Sequence, residues 1–308
     1  MSVDVSIVIP LYNKDKFIID TLKSIYAQDF KNWECIIIDD GSTDSSLKVV
    51  TDFCNAHSGN WKIYSIPNGG QTKARNVGIS HATGRYLAFL DADDLWVTNK
   101  LSKQFEYLEA NNEIMGVLSG YAIFNSKSKH FRVVINNNFD KMLENWASMR
   151  GFGGGLESVG MIRRNINQAD IMFDENLSTS SGLDFTIRCA QLGKMVLLKE
   201  IGLLYRLSDG QWHTNIDELS GNMALIAQRY SAYFDLDLHQ KYLDYYFWVQ
   251  VRKHGHAHLI GTVLRDLIRF RFARLQMLLW LLSRNFKALW TGWWNHALVR
   301  KQLEILKS

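Results

Sequence analysis

Short apolar segments with strand character alternate with helical segments over the first third of the chain, and this alternation limits the possible folds strongly. Residues 5–9, 35–38 and 86–90 are largely apolar, as expected for strands buried on both faces, and the first two of these runs are rich in β-branched residues. Residues 63–66 form a shorter strand-like run. Residues 17–28 show helical spacing of apolar positions. Pro10 should end the first strand, because proline cannot donate to a central ladder, and Ser42 or Thr43 could cap a second helix. The sequence therefore predicts an α/β fold with a mostly parallel central sheet flanked by helices.

Length and composition exclude a disordered chain and a small disulfide-linked scaffold. The 308 residues, of which 47% are hydrophobic, suffice for one large domain with a sizeable core. The three cysteines, Cys35, Cys54 and Cys189, are widely separated and odd in number, which favours a reducing compartment. The first residues lead almost directly into a strand pattern and lack the features of a signal peptide. We therefore expect a cytoplasmic location.

Three carboxylates, Asp91, Asp93 and Asp94, follow the strand-like run at residues 86–90. Ligands of open α/β sheets bind at the edge that the carboxyl ends of the strands form. Mg²⁺ and Mn²⁺ prefer oxygen ligands and leave coordination positions for substrate phosphates. The cluster therefore indicates a divalent cation that bridges to a phosphate-containing ligand. The same aspartates could instead cap a helix or form a solvated turn.

Five separate motifs occur at the ends of predicted strands and at the start of a predicted helix. They are Ile9-Pro10-Leu11-Tyr12-Asn13, Ile38-Asp39-Asp40-Gly41-Ser42-Thr43-Asp44, Ala74-Arg75-Asn76-Val77-Gly78, Asp91-Ala92-Asp93-Asp94 and Gly182-Leu183-Asp184. Their order and spacing resemble those of the family-2 glycosyltransferases, which have the GT-A fold. The resemblance covers roughly residues 3–210 and implies inverting transfer of a sugar from a nucleotide donor to an acceptor hydroxyl. It also implies a catalytic domain at residues 1–215, with a nucleotide-binding half at about 1–98 and an acceptor half at about 99–215.

The resemblance implies roles for residues of the nucleotide-binding half. Tyr12, with Pro10 in the same motif, would lie beside the nucleobase, and Asp40 would accept a hydrogen bond from a base N–H, most often of uracil. Arg75 would contact the nucleotide end of the site. Asp39 is expected to bond the turn after its strand instead. Tyr12 could also be an ordinary half-buried loop aromatic.

The Asp91-Ala92-Asp93 segment is similar to the family's DXD motif, which implies a metal site. Asp93 would bind the Mn²⁺ or Mg²⁺ that bridges the diphosphate. Asp91 and Ala92 would contact the nucleotide sugar, and Asp94 would hold the loop. A bound cation would stabilise the charge that develops on the departing nucleoside diphosphate.

Two further stretches complete the site that the resemblance implies. Tyr205-Arg206 and Trp212-His213 look like the family's segment that closes over the phosphates. His213 would add a metal ligand or a phosphate contact, although it could equally be an ordinary surface histidine.

Inverting transfer needs a base that takes the proton of the acceptor hydroxyl as the new bond forms. The family supplies it from a Glu-Asp pair at the start of a helix, and the matching segment here is residues 181–185. The resemblance therefore assigns the base to Asp184, whereas Leu183 stands where the first acid is expected. Arg188, four residues on, could pair with Asp184 along one helical face. Asp184 could also be a plain aspartate at a helix start.

The C-terminal part of the chain, residues 216–308, is predicted to be a helical, basic and aromatic region. From residue 252 onward, 11 Lys and Arg stand against two acids, whereas residues 1–251 hold 24 bases and 29 acids. Residues 259–282 are apolar but contain four arginines, each of which costs about 2.5–3.5 kcal/mol at the centre of a membrane span. We therefore expect a helix on the inner face of the cell membrane, with packing on the domain or on another subunit as the alternative.

The resulting hypothesis is a metal-dependent glycosyltransferase of the hexosyl- or N-acetylhexosaminyl-transferring type. Its donor would be a UDP-sugar and its acceptor a saccharide, lipid-linked in cell-surface polysaccharide or oligosaccharide synthesis, and nucleic acid is not expected as a partner. An alternative, suggested by Leu183, is a nucleotide-sugar-binding or scaffold protein of the same fold without turnover. A dinucleotide-binding reductase is disfavoured, because no Gly-x-Gly-x-x-Gly follows the first strand.

Overall fold

The computed structural model describes residues 2–124, 131–134, 157–164, 171–177, 180–207, 222, 225–226 and 228–230, with the backbone alone for 131–134. By its internal contacts the chain divides into two units, Met1–Tyr242 and Leu243–Ser308, and every described residue belongs to the first. The predicted membrane-binding helix therefore lies outside the described residues. The predicted domain boundary at residue 215 stays a prediction.

The described residues form one sheet of nine strands. Its order is β3-β2-β1-β4-β8-β6-β9-β5, with β7 paired to β6. The strands are β1 (Val5–Leu11), β2 (Trp33–Asp39), β3 (Trp61–Ser65), β4 (Tyr86–Phe89), β5 (Leu95–Trp96), β6 (Ile114–Phe124), β7 (Phe131–Val134), β8 (Gly160–Arg163) and β9 (Lys194–Arg206).

Pairing is parallel throughout one half of the sheet and mixed in the other half. The strands β3, β2, β1 and β4 pair in parallel, and β6 pairs in parallel with β9. The pairs of β8 with β4 and β6, of β7 with β6 and of β5 with β9 are antiparallel. The predicted α/β fold with a central sheet and flanking helices is confirmed, and its parallel character is concentrated in the N-terminal half.

Five helices flank the sheet among the described residues. They are α1 (Ile18–Tyr26), α2 (Ser46–Ala56), α3 (Gln71–His81), α4 (Lys100–Ala110) and α5 (Ser181–Leu192). Helix α3 packs on β1 and β2, whereas α4 and α5 pack on β6. The approach of α3 to β1 requires a glycine, because a Cβ on Gly78 would lie 2.3 Å from Val8 Cγ1.

Two predicted boundaries differ from the structure for identifiable reasons. Pro10 was expected to end the first strand, yet β1 continues to Leu11. Pairing of β1 with β4 ends at Val8, so the missing N–H of Pro10 removes no bond from that ladder. Ser42 and Thr43 were expected to cap the second helix, yet α2 begins at Ser46. Both residues instead bond to Asn13 in the loop after β1.

The strand β9 was not predicted, although it is the longest strand among the described residues. Its sequence mixes charged residues with apolar ones, and its burial is correspondingly irregular. β9 is stabilised by pairing with β6, and this long-range contact is not visible as a local pattern. The short β5 and β7 were missed for the same reason.

Candidate active site

A cleft of about 550 Å³ opens at the edge of the sheet where β1, β2 and β4 end. Parallel strands bring their carboxyl ends to one edge, so residues that are distant in sequence meet there. All seven residues that the sequence analysis assigned to the nucleotide-sugar site line this cleft, whereas their individual roles stay predictions. These residues are Pro10, Tyr12, Asp40, Arg75, Asp91, Ala92 and Asp93.

One end of the cleft combines an available aromatic ring with a fixed carboxylate. The side chain of Tyr12 is 46% exposed, so its ring is accessible for stacking. Asp40 is buried, and its carboxylate accepts hydrogen bonds from the backbone N–H groups of Gly69 and Gly70, both at 2.8 Å, and from Asn68 Nδ2 at 3.3 Å. A carboxylate has about four acceptor positions, so Asp40 can still accept a bond from a ligand.

The loops after β1 and β2 hold each other in place. Asp39 Oδ1 accepts a hydrogen bond from the Ser42 N–H at 3.2 Å, which confirms its predicted role in the turn. Asn13 has a left-handed backbone with φ of 51°, and its Oδ1 accepts from the Thr43 N–H at 2.8 Å. Asparagine tolerates this conformation better than most residues, so the loop that carries Tyr12 keeps a defined shape.

Arg75 lies in the floor of the cleft and joins two carboxylates. Its Nη2 donates to Asp91 Oδ1 at 2.6 Å and its Nη1 to Glu157 Oε1 at 3.2 Å. Burial favours the neutral guanidine, yet the charges of Asp91 and Glu157 outweigh this effect and raise the pKa of Arg75. Arg75 is therefore a fixed cation, and its Nε has no hydrogen-bond partner among the described residues.

The acidic loop after β4 carries closely spaced carboxylates in different surroundings. Asp93 Oδ2 forms an ion pair with Lys14 Nζ at 2.5 Å. Asp94 is 1% exposed, and its burial together with the charges of Asp91 and Asp93 raises the pKa of its carboxyl well above the usual range. The backbone N–H of Arg206 donates to Asp94 Oδ1 at 3.0 Å. The loop therefore brings three carboxyl groups together in the cleft, with Lys14 paired to Asp93 and Arg75 paired to Asp91.

Tyr205 and Arg206, at the end of β9, have different places in the site. Tyr205 lines the cleft, and burial, followed by the charges of the neighbouring aspartates, raises its pKa. Arg206 is 5% exposed, and its Nε donates to the carbonyl oxygen of Asp93 at 2.9 Å. The Arg206 side chain therefore supports the acidic loop, and the expectation that this segment closes over phosphates stays a prediction. Trp212 and His213, the predicted second metal ligand, lie outside the described residues.

Asp184 is fully buried and does not line the cleft, although it is close in sequence to Ser181 and Gly182, which do. Its Oδ2 accepts from Arg188 Nε at 2.8 Å, so the predicted pair along α5 is confirmed. Its Oδ1 accepts from Tyr230 Oη at 2.8 Å and from Arg229 Nη1 at 3.2 Å. Asp184 is thus paired with two arginines and covered by a segment that follows β9.

Glu157 is a cleft residue that the sequence analysis did not find. It precedes β8, and its carboxylate contacts Arg75. Burial raises its pKa, and the charge of Arg75 opposes that effect. No local pattern marks Glu157, because its position depends on the antiparallel pairing of β8 with β4.

Two serines of the cleft wall have left-handed backbone conformations, with φ of 60° at Ser158 and 62° at Ser180. Such residues cost about 1–3 kcal/mol each and tend to occur where a site requires a particular geometry. Ser158 Oγ accepts from the Asp91 N–H at 3.1 Å, and its carbonyl accepts from Trp96 Nε1 at 2.7 Å. The strained turn therefore ties the start of β8 to the acidic loop.

Comparison with known proteins gives matches in sequence and in structure. The family model described as Glycosyl transferase family 2 matches residues 6–194. An uncharacterised glycosyltransferase of Rickettsia conorii is 40% identical over 130 residues, which make up 42% of this chain and 21% of that protein. The minor teichoic acid biosynthesis protein GgaA of Bacillus subtilis is 30% identical over 184 residues, 56% of this chain and 40% of that protein. The chain thus spans well under half the length of these relatives.

Among solved structures, S. aureus TarS 1-349 in complex with UDP gives a TM-score of 0.61 at 19% identity, with 87% of this chain and 78% of that chain covered. The mannosyltransferase PcManGT of Pyrobaculum calidifontis, in complex with GDP-Man and Mn²⁺, gives 0.58 at 17% identity, with 87% and 81% covered. At these identities the likeness shows that the fold is shared, which is the GT-A fold predicted from the motifs. Because the family model matches more than half of the chain, this chain belongs to glycosyl transferase family 2.

Proposed function

We propose that this protein transfers a sugar from a UDP-sugar to a hydroxyl of a saccharide acceptor, with inversion at the sugar. The observation that carries the proposal is the meeting of all seven predicted nucleotide-sugar residues in one cleft. Tyr12 offers a ring to the base, Asp40 retains an acceptor position for a base N–H, and Asp91 and Asp93 lie farther along the cleft. The structural relatives in complex with UDP and with UDP-GlcNAc support UDP as the nucleotide.

We propose Mn²⁺ or Mg²⁺ as the cofactor, held by Asp93 with Asp91 beside it. The described residues contain no group of three candidate metal ligands, and one or two carboxylates are the usual protein share for these cations when a phosphate supplies the rest. A bound cation would also offset the charges of Asp91 and Asp93 that, together with burial, raise the pKa of Asp94. A bound cation would stabilise the charge on the departing diphosphate, and Lys14 neutralises Asp93 in its absence.

Asp184 is the base in this proposal. It lies on the first turn of α5, and Arg188 pairs with its carboxylate. To take a proton from an acceptor hydroxyl, Asp184 must exchange the hydrogen bond from Tyr230 for one from the acceptor. We therefore expect Asp184→Asn to retain nucleotide binding and to lose turnover by at least about a hundredfold, the lower range for general base catalysis.

The first experiment is a thermal-shift panel of UDP, GDP, dTDP and CMP, with and without Mn²⁺. A ligand that binds the folded state alone raises its stability, by about 2.7 kcal/mol at a concentration of 100 Kd. We expect a Mn²⁺-dependent shift with UDP for the wild type and its loss in Asp93→Ala. Asp52→Ala is the matched control, because Asp52 is exposed in a surface ion pair with Lys48. A shift that survives in Asp93→Ala, or no shift with any nucleotide, would contradict the proposal.

A binding protein without turnover is the second candidate function. It is favoured by the complete burial of Asp184 and by its absence from the cleft wall. The two functions separate in one assay of UDP release with a saccharide acceptor. Nucleotide binding without transfer, unchanged by Asp184→Asn, would establish the binding function.

We further propose a lipid-linked acceptor and a membrane-surface role for the basic tail. A 35% identical Escherichia coli relative, matched over 40% of this chain, is named for transfer of glucose to α-D-GlcNAc-diphosphoundecaprenol. No helix among the described residues is long and apolar enough to cross a membrane. Truncation before Arg252 should abolish co-sedimentation with anionic vesicles and leave the remaining protein folded. Equal transfer to soluble and lipid-linked sugars would contradict the acceptor proposal.

A further inference from the structure

Glu157 lines the cleft and has a carboxylate oxygen without a hydrogen-bond partner among the described residues. Its side chain is 10% exposed, and Oε1 accepts from Arg75 Nη1 at 3.2 Å. Oε2 is buried and has no hydrogen-bond partner among the described residues. Burying an acceptor without a partner costs free energy, which a ligand with a donor group can recover. A ligand in the cleft that donates a hydrogen bond would give Oε2 a partner once the carboxylate turns towards it.

The Glu157 carboxylate takes the place of a side chain on the first turn of α5. A Cβ on Gly182 would lie 1.8 Å from Oε2 and 1.9 Å from Oε1, so only glycine leaves room for it. Leu183, which stands where the family pattern has its first acid, is 5% exposed and part of the core. The acid at this turn is thus supplied from the start of β8 instead of from the helix itself.

The order of the strands indicates which part of a ligand reaches Glu157. The strands β2, β1, β4 and β8 are neighbours in the sheet. Asp40 follows β2, Tyr12 follows β1 and Asp91 follows β4, while Glu157 precedes the antiparallel β8 and therefore lies at the same edge. A nucleotide with its base near Tyr12 and Asp40 and its diphosphate near the acidic loop after β4 would direct its sugar to the next position, which is Glu157.

We propose that Glu157 recognises the donor sugar, with Oε2 accepting a hydrogen bond from one of its hydroxyl groups. The inference rests on the proposed function and adds a specificity residue to it. Arg75 keeps the carboxylate in position through its bond to Oε1 and is itself held by Asp91. A buried acceptor of this kind discriminates strongly against donors that lack the hydroxyl, because such donors leave it unpaired.

The test measures the Kd of UDP and of a panel of UDP-hexoses by calorimetry, with Mn²⁺, on the full chain. Glu157→Leu removes both acceptor oxygens and keeps most of the side-chain volume. We expect the Kd of this variant for UDP to stay within about twofold of wild type. Its Kd for the preferred UDP-hexose should rise about tenfold, which corresponds to the loss of one charge-assisted hydrogen bond. Glu113→Leu, which alters an exposed glutamate, is the control and should change neither value.

Deoxy analogues of the preferred donor identify the hydroxyl. We expect one deoxy analogue to bind the wild type about tenfold more weakly than the parent donor does. The same analogue should bind Glu157→Leu as tightly as the parent donor binds that variant. If Glu157→Leu does not fold, Glu157→Gln replaces it, since one amide oxygen remains for Arg75. For that variant we expect at least threefold weaker binding of the UDP-hexose with the Kd of UDP unchanged.

Two results would overturn the assignment of Glu157. Equal weakening of UDP and UDP-hexose would mean that Glu157 only supports Arg75, and an unchanged UDP-hexose Kd would mean that the sugar does not contact it. Failure of the wild type to bind any nucleotide would instead refute the proposed function itself. The two failures are therefore distinguishable in the same set of titrations.

Discussion

Glu34, on β2, is a buried carboxylate whose charge should contribute measurably to stability. It is 0% exposed and accepts hydrogen bonds from Ser6 Oγ at 2.6 Å and from the Thr83 N–H and Oγ1 at 2.6 and 2.7 Å. Lys62 Nζ lies 2.6 Å from its Oε2. Burial alone would raise the pKa of Glu34, but the bonds from Lys62, Ser6 and Thr83 outweigh it and lower the pKa from the usual 4.5 to about 2.

The depressed pKa converts into a pH-dependent free energy of unfolding. Because the folded pKa is the lower one, the stabilisation is fully present above pH 4.5 and is lost as pH falls towards 2. The difference between the folded and unfolded pKa values corresponds to a contribution of about 3 kcal/mol to the free energy of unfolding at pH 7. Glu34→Gln mimics the neutral form of the Glu34 carboxyl group and places an uncharged amide next to Lys62. We therefore expect the variant to be about 3 kcal/mol less stable at pH 7 and only about 1.5 kcal/mol less stable at pH 3.

Urea unfolding followed by tryptophan fluorescence at the two pH values measures this difference. Glu113→Gln is the control, since Glu113 is exposed, and it should match wild type at both pH values. The reasoning would be refuted if wild type and Glu34→Gln differed in free energy of unfolding by the same amount at pH 7 and at pH 3, because the cost would then come from packing alone. A difference below about 0.5 kcal/mol at pH 7, the usual range for surface substitutions, would refute it as well.

Further predictions concern packing and the support of the acidic loop. Gly78→Ala places a Cβ 2.3 Å from Val8 Cγ1 and should lower the free energy of unfolding by about 1–3 kcal/mol in urea titrations, whereas the exposed Ser80→Ala on the same helix should change it little. Arg206→Met leaves Asp20 and the carbonyl of Asp93 without their partner. Because the Asp20 side chain is exposed, the main cost is the buried carbonyl left without its donor, and we expect a loss of about 1–3 kcal/mol by chemical denaturation, together with a smaller UDP-dependent thermal shift. An unaltered thermal shift would show that the acidic loop does not depend on this support.

Sequence periodicity predicted the strands β1 to β4, and the motifs predicted seven of the residues that line the cleft. These features are local, since a buried strand needs a continuous apolar run and a loop at the end of a parallel strand reaches one common edge. For this reason the amino-acid sequence alone suffices to assign Tyr12, Asp40 and Asp91 to one site. The pair of Asp184 with Arg188 was predictable on the same basis, because helical spacing alone brings them together.

Tertiary structure decided the features that depend on contacts between distant segments. Glu157 and Arg75 are 82 residues apart, and Arg206 and Asp94 are 112 apart, so no local pattern links them. Tyr230, which covers Asp184, is 46 residues away from it in the sequence. The periodicity of apolar residues indicates which face of a helix or strand is buried, but it does not indicate which strand lies beside that element. The sequence therefore determined which loops meet at the strand edge, whereas packing determined which of the charges there are paired and which are buried.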